Sequence, residues 1–215
     1  MLHTVFYFTL HYSNIAYHAG STSGLGPNPP GSWSSYSVLT VRFPDESIIM
    51  DSAKIVIELE SRYPAPSLRL IPGLEEEVSK SVGMVFMAVL SYFFYCALNF
   101  MAPADLQWFK EDRAKRLNTT IEEAFETDRD PASLFEAAKP GFQKLKNVLT
   151  KHKIDDRPFI LGSEPRYADF ISVAAIHIFN RAGGKAYTSF SDAAPRALLQ
   201  LYEASRKWTE RQNGL

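Results

Sequence analysis

Asp51 and Ser52 are neighbouring residues whose types and position favour binding chemistry. Apolar residues recur at helical spacing from Ile55 onward, so the pair stands where a helix begins. The first backbone N–H groups of a helix have no internal partner, and the helix dipole favours negative charge there. A ligand carboxylate would accept hydrogen bonds from those groups and from the Ser52 hydroxyl, while Asp51 would accept one from a ligand ammonium. The pair therefore fits the α-amino-acid end of a ligand, unless Asp51 only caps a surface helix.

A predicted hairpin and helix position this pair. Pro44 and Asp45 have turn chemistry, and they separate two β-prone runs at residues 38–43 and 47–50. The helix that follows must end before Pro64, because the residue preceding a proline avoids helical backbone angles. The predicted apolar positions of this helix are Ile55, Val56, Leu59 and Tyr63.

Composition excludes several classes of protein. The chain has 23 Lys and Arg against 24 Asp and Glu, a net charge of −1 that gives no reason to expect a nucleic-acid partner. The single cysteine, Cys96, excludes an internal disulfide and indicates a reducing compartment such as the cytoplasm. It lies in an apolar run, which is typical of an inert core thiol. The histidines lack ligand spacing, so no metal site is expected, and His177 is predicted to be a core residue.

An uncharged stretch at residues 81–104 is long enough to span a bilayer. It also contains Gly83, Ser91 and Asn99, which favour a buried helix of a globular protein over a membrane span. We therefore predict a long buried helix here and no membrane partner. A membrane-anchored protein is the alternative.

The chain beyond a Pro-rich stretch at residues 64–73 has helical periodicity, so the stretch is a predicted domain junction. The predicted fold is α+β and mostly helical, with domains at residues 1–72 and 73–215. Three further helices are predicted: an amphipathic one through Leu134, Ala138, Phe142, Leu145 and Leu149, an apolar and central one through Phe170, Ile171, Ala174, Ala175 and Ile178, and a C-terminal one after Pro195 through Leu198, Tyr202, Ser205 and Trp208.

Asp169 takes the third position of the predicted central helix. From there its carboxylate can reach back to the N–H at the helix start, as one half of a capping box. The other half needs a hydroxyl side chain three residues earlier, and that residue is Arg166. We therefore expect Asp169 to stabilise the fold and to take no part in catalysis.

Three blocks of sequence resemble the glutathione transferase family. After the predicted hairpin, "DSAKIVIELESRYPAP" resembles the family's third helix, in which an acidic residue and a serine hold the γ-glutamyl end of glutathione. At residues 159–176, "FILGSEPRYADFISVAAI" resembles the central helix of the family's all-helical C-terminal domain. At residues 99–125, "NFMAPADLQWFKEDRAKRLNTTIEEAF" is similar to the fungal branch related to bacterial β-etherases. The resemblance implies an incomplete thioredoxin-like α/β domain followed by an all-helical domain.

The resemblance also implies site residues. Asp51 and Ser52 would bind the γ-glutamyl end of glutathione. Val38 and Leu39 would present their backbone to its cysteinyl part, with Leu39 at the position of the family's cis-proline. An apolar pocket for the acceptor substrate would be formed by four residues on or near the predicted long helix: Tyr92, Tyr95, Asn99 and Trp108.

The implied activity is conjugation of glutathione to a small hydrophobic aromatic electrophile, or cleavage of an ether in one, in fungal secondary metabolism or detoxification. Glutathione is the implied co-substrate, no metal is implied, and family members often form homodimers. The family activates the thiol with a Ser, Tyr or Cys after the first strand, but residues 5–18 resemble the end of the first helix running into the second strand, whereas local propensity alone favours a strand at residues 4–9. In the interpretation based on the resemblance, that loop lies outside the sequence, because it and the first strand would precede Met1. Two hypotheses follow: an active transferase, or a catalytically inactive binding or interaction protein with the transferase fold.

Overall fold

The computed structural model describes residues 40–100, 103–127 and 130–209. Strands β1 (Thr40–Arg42) and β2 (Ile48–Met50) are followed by eleven helices and a short 3₁₀ turn at Leu98–Phe100 within these residues. The helices are α1 (Ser52–Arg62), α2 (Leu74–Ala88), α3 (Leu90–Ala97), α4 (Pro103–Leu117), α5 (Ile121–Thr127), α6 (Pro131–Ala137), α7 (Lys139–Lys151), α8 (Tyr167–Ala182), α9 (Gly184–Ala193), α10 (Arg196–Ala204) and α11 (Arg206–Thr209). The expectations for Val38, Leu39 and residues 5–18 fall outside the described residues.

The predicted hairpin is confirmed. Strands β1 and β2 pair antiparallel with Thr40 opposite Met50, and the turn between them is closed by a 2.9 Å hydrogen bond from the Glu46 N–H to the Phe43 carbonyl. Arg62 at the end of α1 holds this turn through an ion pair with Asp45 at 3.0 Å, and its guanidinium lies 4.2 Å from the centre of the Phe43 ring. These contacts fix α1 against the hairpin.

Helix α1 ends where the sequence predicted. Tyr63 caps it just before Pro64, and the irregular stretch at residues 63–73 leads to α2. Glu60 ties this stretch back to α1, because its carboxylate accepts hydrogen bonds from the Ser67 hydroxyl at 2.5 Å and from the Leu68 N–H at 2.6 Å. The buried apolar residues of α1 share one hydrophobic core with those of the later helices.

Helix α8 is the centre of this core, as predicted. All of residues 167–179 are buried, and α2, α9 and α10 pack around the helix. Phe179 of α8 contacts aromatic rings from four neighbouring helices, with centroid separations of 5.4 Å to Phe86 and to Phe135, 4.9 Å to Phe190 and 6.2 Å to Phe93. Each such aromatic pair adds about 0.5–1.5 kcal/mol beyond the area it buries.

The prediction of one long helix through residues 81–104 is wrong. The chain forms α2 and α3, whose axes are bent by 81° about Val89. Val89 has φ −116° and ψ 21° and is fully buried, so packing of both helices onto the core fixes the bend. In the described part of the chain, no single helix is long and apolar enough to cross a membrane, although this bent pair would be by length and composition alone.

Two other predicted helices are also divided. The apolar series from Leu134 to Leu149 runs through α6 and α7, which meet at Ala138. Pro140 explains the division, because it has no N–H to donate to the Glu136 carbonyl and its ring would clash there. The C-terminal series divides at Ser205 into α10 and α11. The apolar positions are still buried, except Leu134, which is partly buried, because consecutive short helices can present the same face to the core.

Candidate functional site

Asp51 occupies a strained position at the start of α1. Its φ of 87° and ψ of 123° lie in a region that costs a residue with a side chain about 1–3 kcal/mol. Its carboxylate accepts a hydrogen bond from the Ala53 N–H at 2.8 Å, so Asp51 does cap the helix. A cap alone does not require this strain, since Asp130 caps α6 with ordinary extended angles, φ −92° and ψ 102°. The backbone at Asp51 is therefore fixed by more than helix capping.

Ser52 is the first residue of α1 and only 5% of it is exposed. Its hydroxyl lies close enough to the phenol of Tyr167, the first residue of α8, to lower the pKa of that phenol. Its backbone N–H makes no hydrogen bond within the described residues, as is usual for the first turn of a helix. Within the described part of the chain, Ser52 thus combines an unpaired backbone donor with a nearly buried side chain.

Tyr167 is a neighbour of Ser52 that the sequence did not reveal. Burial raises the pKa of its phenol to about 12, and the negative charges of Asp51 and Glu75 also raise that pKa, while the Ser52 hydroxyl opposes this rise. The phenol is therefore protonated at neutral pH. The block "RYADF" contains Tyr167, but nothing in a linear sequence pairs it with Ser52.

The start of α8 is joined to the junction between α1 and α2 by hydrogen bonds to two backbone carbonyl oxygens of the junction. The Tyr167 N–H donates to the Leu68 carbonyl at 3.1 Å, and the Arg166 guanidinium donates to the Arg69 carbonyl at 3.0 Å. Arg166 stands where the sequence lacked a capping hydroxyl, and its side chain has no acceptor to offer the helix. It contacts the junction instead.

Asp169 makes the predicted half of the capping box. Its carboxylate accepts from the Arg166 N–H at 2.8 Å and from the Ile160 N–H at 3.1 Å. Burial raises its pKa to about 7, outweighing the two hydrogen bonds and the positive charges of Arg166 and Lys153. Asp169 faces the core of the helical domain, which suits a role in folding.

The four residues predicted for an acceptor pocket lie in different surroundings. Tyr92 is buried, and burial raises the pKa of its phenol to about 12, with a further contribution from the neighbouring Cys96. Tyr95 stacks on Phe125, with 3.7 Å between ring centres and 6° between planes. Asn99 is exposed in the 3₁₀ turn, and Trp108 on α4 is 58% exposed. Tyr92 also stacks on Phe125 at 5.9 Å, so the structure brings the two tyrosines together around one ring.

The two described cavities lie elsewhere. One of about 200 Å³ is lined by residues including Lys153, Ile160 and Leu201, and one of about 520 Å³ lies between the start of α7 and the start of α10. Neither contains any of the four predicted pocket residues. A common pocket for those four residues stays a prediction.

Other candidate reactive groups are core residues. Cys96 is buried, and burial raises the pKa of its thiol, as expected for an inert cysteine. His177 is buried with its Nδ1 3.0 Å from the Tyr202 hydroxyl, which confirms it as a core residue. Among the described residues, no group of three or more His, Cys, Asp and Glu is placed to hold a metal ion.

Comparison with known proteins identifies the protein family. A family model described as "Glutathione S-transferase, C-terminal domain" matches residues 76–208, which is more than half of the chain. The chain belongs to the glutathione S-transferase family. A search of curated protein sequences gives no match.

Solved structures share the fold. Two glutathione S-transferases of Ceriporiopsis subvermispora, CsGST83044 and CsGST63524, were each solved in complex with glutathione and give TM-scores of 0.72 and 0.73. They are 18% and 17% identical to this chain, over 97% and 95% of it and 90% and 89% of their own lengths. Glutathione transferase GSTFuA2 from Phanerochaete chrysosporium gives 0.71 at 15% identity, over 96% of this chain and 89% of its own.

Proposed function

We propose that this protein binds glutathione through Asp51 and Ser52 and transfers it to a small hydrophobic electrophile. The observation that carries the proposal is the strained backbone of Asp51 beside a helix start whose Ser52 N–H has no partner in the described residues. Strained residues persist where the surrounding structure determines them, and they cluster at ligand sites. Family membership and structural relatives solved with glutathione support the same ligand.

The chemistry of the pair suits the γ-glutamyl end of glutathione. The α-carboxylate would accept hydrogen bonds from the Ser52 N–H and hydroxyl. These groups lie at the N-terminus of α1, where the helix dipole favours an anion. The ammonium would donate to Asp51, whose second carboxylate oxygen is not used by the cap. The carboxylate would thus face the positive end of the helix dipole, and the ammonium would face the negative charge of Asp51.

For the acceptor substrate we favour a small aromatic compound, as a conjugation partner or as an ether to be cleaved. The aromatic side chains of α3 and the exposed indole of Trp108 support this choice, because aromatic surfaces bind planar apolar ligands well. Fungal secondary metabolism or detoxification is the setting suggested by the sequence resemblance. The lone cysteine favours a reducing compartment such as the cytoplasm.

We further propose a homodimer. Met84 and Met87 lie one turn apart on α2 and are 42% and 55% exposed, which leaves apolar surface available to a second copy of the chain. Methionine side chains adapt readily to a partner surface.

Titration calorimetry with glutathione tests the binding site. Asp51→Asn removes the charge that pairs with the ammonium but keeps a good helix cap and tolerates the positive φ. We expect Kd to rise about tenfold or more, as for loss of a charge-assisted hydrogen bond. The matched control is Asp130→Asn, an equivalent change at the cap of α6, which should leave Kd unchanged.

Absence of binding by the wild-type protein would refute the proposal. Equal affinity in Asp51→Asn and Asp130→Asn would refute the assignment of the site. Mass spectrometry of reactions with a panel of aromatic electrophiles and aryl ethers tests transfer. A glutathione conjugate supports an enzyme, whereas binding without any product supports the inactive transferase-fold alternative.

A further inference from the structure

Phe125 of α5 covers one face of the Tyr95 ring on α3. The two rings are parallel within 6°, and their centres are 3.7 Å apart. Carbon atoms at this separation are in van der Waals contact, and a third ring would need about 7 Å between the two planes to fit between them. A flat ligand can therefore reach this face of Tyr95 only when Phe125 has left it.

The first turn of α5 is held by contacts other than this stack. Ile121 is 1% exposed and packs in an apolar cluster with residues of α3 and α4: Phe94, Ala97 and Phe109. Thr120 and Glu123 cap the helix, because the Glu123 N–H donates to the Thr120 hydroxyl at 3.1 Å and the Thr120 N–H donates to the Glu123 carboxylate at 3.3 Å. These contacts hold the start of α5 in place without Phe125.

Phe125 lies one turn after Ile121 and packs against a different cluster. Its ring is partly buried against an apolar cluster that contains Tyr92 and Cys96 of α3. Tyr92 also stacks on Phe125, with 29° between planes and 5.9 Å between ring centres. Both tyrosines predicted for the acceptor pocket thus stack on the same ring. Because this ring is only partly buried, its displacement costs less than that of a core ring.

A flat aromatic compound is the chemical class that can take the place of this ring. It restores the parallel stack on Tyr95 that is broken when Phe125 leaves, whereas a saturated ring of the same size has no flat face to offer. The value of one aromatic stack predicts a preference of about two- to tenfold for the flat compound.

We propose that Phe125 occupies the stacking position of an aromatic acceptor on Tyr95 and that the acceptor displaces it, an inference that rests on the proposed function. Phe125 is then a specificity-determining residue. Acceptors with a flat ring replace the lost stack, and acceptors without one do not.

Titration calorimetry with three ligands tests this without requiring catalysis: glutathione, S-benzylglutathione and S-(cyclohexylmethyl)glutathione. The two conjugates differ only in whether the ring is flat or saturated. Phe125→Ala and the less disruptive Phe125→Leu both remove the ring that covers Tyr95, and Tyr95→Leu removes the surface on which the acceptor stacks. Leu134→Ala is the matched control, because Leu134 is also partly buried against the cluster around Tyr92.

We expect the wild type to bind the benzyl conjugate about two- to tenfold more tightly than the cyclohexylmethyl conjugate, and Tyr95→Leu to remove this preference. Both Phe125 variants should bind both conjugates about two- to tenfold more tightly than the wild type does, because no stack has to be broken. Their Kd for glutathione itself should be unchanged. Leu134→Ala should bind all three ligands as the wild type does.

Unchanged or weaker binding of the conjugates in both Phe125 variants overturns this inference and leaves the proposed function intact. Weaker binding would show that Phe125 is a wall of the pocket. An equal gain in Leu134→Ala also overturns the inference, because it would show that any loosening of this cluster favours the conjugates. Failure of the wild type to bind glutathione overturns the proposed function as well.

Discussion

Gly141 on α7 lies so close to Val85 on α2 that there is no room for a side chain between them. A Cβ atom at Gly141 would stand 2.9 Å from the Val85 backbone nitrogen and 2.9 Å from its Cγ2. Real Cβ contacts are almost never this short, and a backbone nitrogen inside a helix cannot move aside. The absence of a side chain at Gly141 therefore permits the close packing of α2 and α7.

Gly141→Ala should lower the free energy of unfolding by about 1–3 kcal/mol, because the added methyl group overpacks this contact. Gly83→Ala on α2 is the matched control, since a Cβ there has no neighbour within 4 Å. That change should raise the free energy of unfolding by about 0.5–1 kcal/mol through the better helix propensity of alanine. Urea unfolding measures both, and equal effects of the two substitutions would contradict this account of the packing.

Asp169 makes stability depend on pH. Its pKa in the folded protein, about 7, is above the ordinary value of 3.8, so the folded state holds this proton more tightly than the unfolded state. The free energy of unfolding therefore falls as pH rises between about 4 and 7, and the fall is complete above pH 7. Below about pH 4 both states are protonated, and Asp169 no longer contributes to the pH dependence.

Urea unfolding of the wild type and Asp169→Asn at several pH values from 4 to 8 isolates this contribution. The variant cannot ionise, so the difference in stability between wild type and variant should shift in favour of the variant as pH rises to 7. We expect a shift on the order of a few kcal/mol, from the size of the change in pKa. A constant difference across this range would show that the carboxyl has an ordinary pKa.

Local signals were sufficient to predict the hairpin and α1. Pro44 and Asp45 fix the turn, and the change from alternating to helical spacing locates the start of α1 at Ser52. The division of the helix at Ala138 also had a local signal, because Pro140 cannot continue a helix. The bend at Val89 had none, since the same apolar pattern suits one straight helix or two bent ones, and packing against the rest of the core decides between them.

The candidate site was likewise predictable from the sequence only in part. The spacing of apolar residues predicts that Asp51 and Ser52 stand at a helix start, because this spacing depends on a few neighbouring residues. The strained backbone of Asp51 and the proximity of Ser52 to Tyr167 are not predicted by it. The proximity of Ser52 to Tyr167 depends on segments that are distant in sequence and are brought together only when α8 packs against the junction beside α1.

The proposed dimer can be tested on α2. Met84→Glu combined with Met87→Glu places two charges on exposed positions, so the fold should be preserved while a second copy is repelled. Light scattering should report a dimer for the wild type and a monomer for this variant. Ile154→Glu is the control, because Ile154 is 65% exposed on another part of the protein and should leave the dimer intact. A monomeric wild type would contradict the proposal.

The proposed acceptor pocket can be tested at Trp108. Its indole is 58% exposed, so Trp108→Ala should change the free energy of unfolding by no more than about 0.5 kcal/mol. If the indole covers an aromatic acceptor, its loss should raise KM for that acceptor about fivefold, the value of one aromatic contact, and leave KM for glutathione unchanged.

Steady-state kinetics with the aromatic electrophile that gives the most conjugate provides the measurement. Ile154→Ala is a suitable control, because it removes an exposed apolar side chain of similar accessibility from a different region. An unchanged KM for the acceptor would remove Trp108 from the pocket. A parallel rise in KM for glutathione would show instead that Trp108 acts on the thiol site, since a residue that contacts only the acceptor does not alter the binding of the co-substrate.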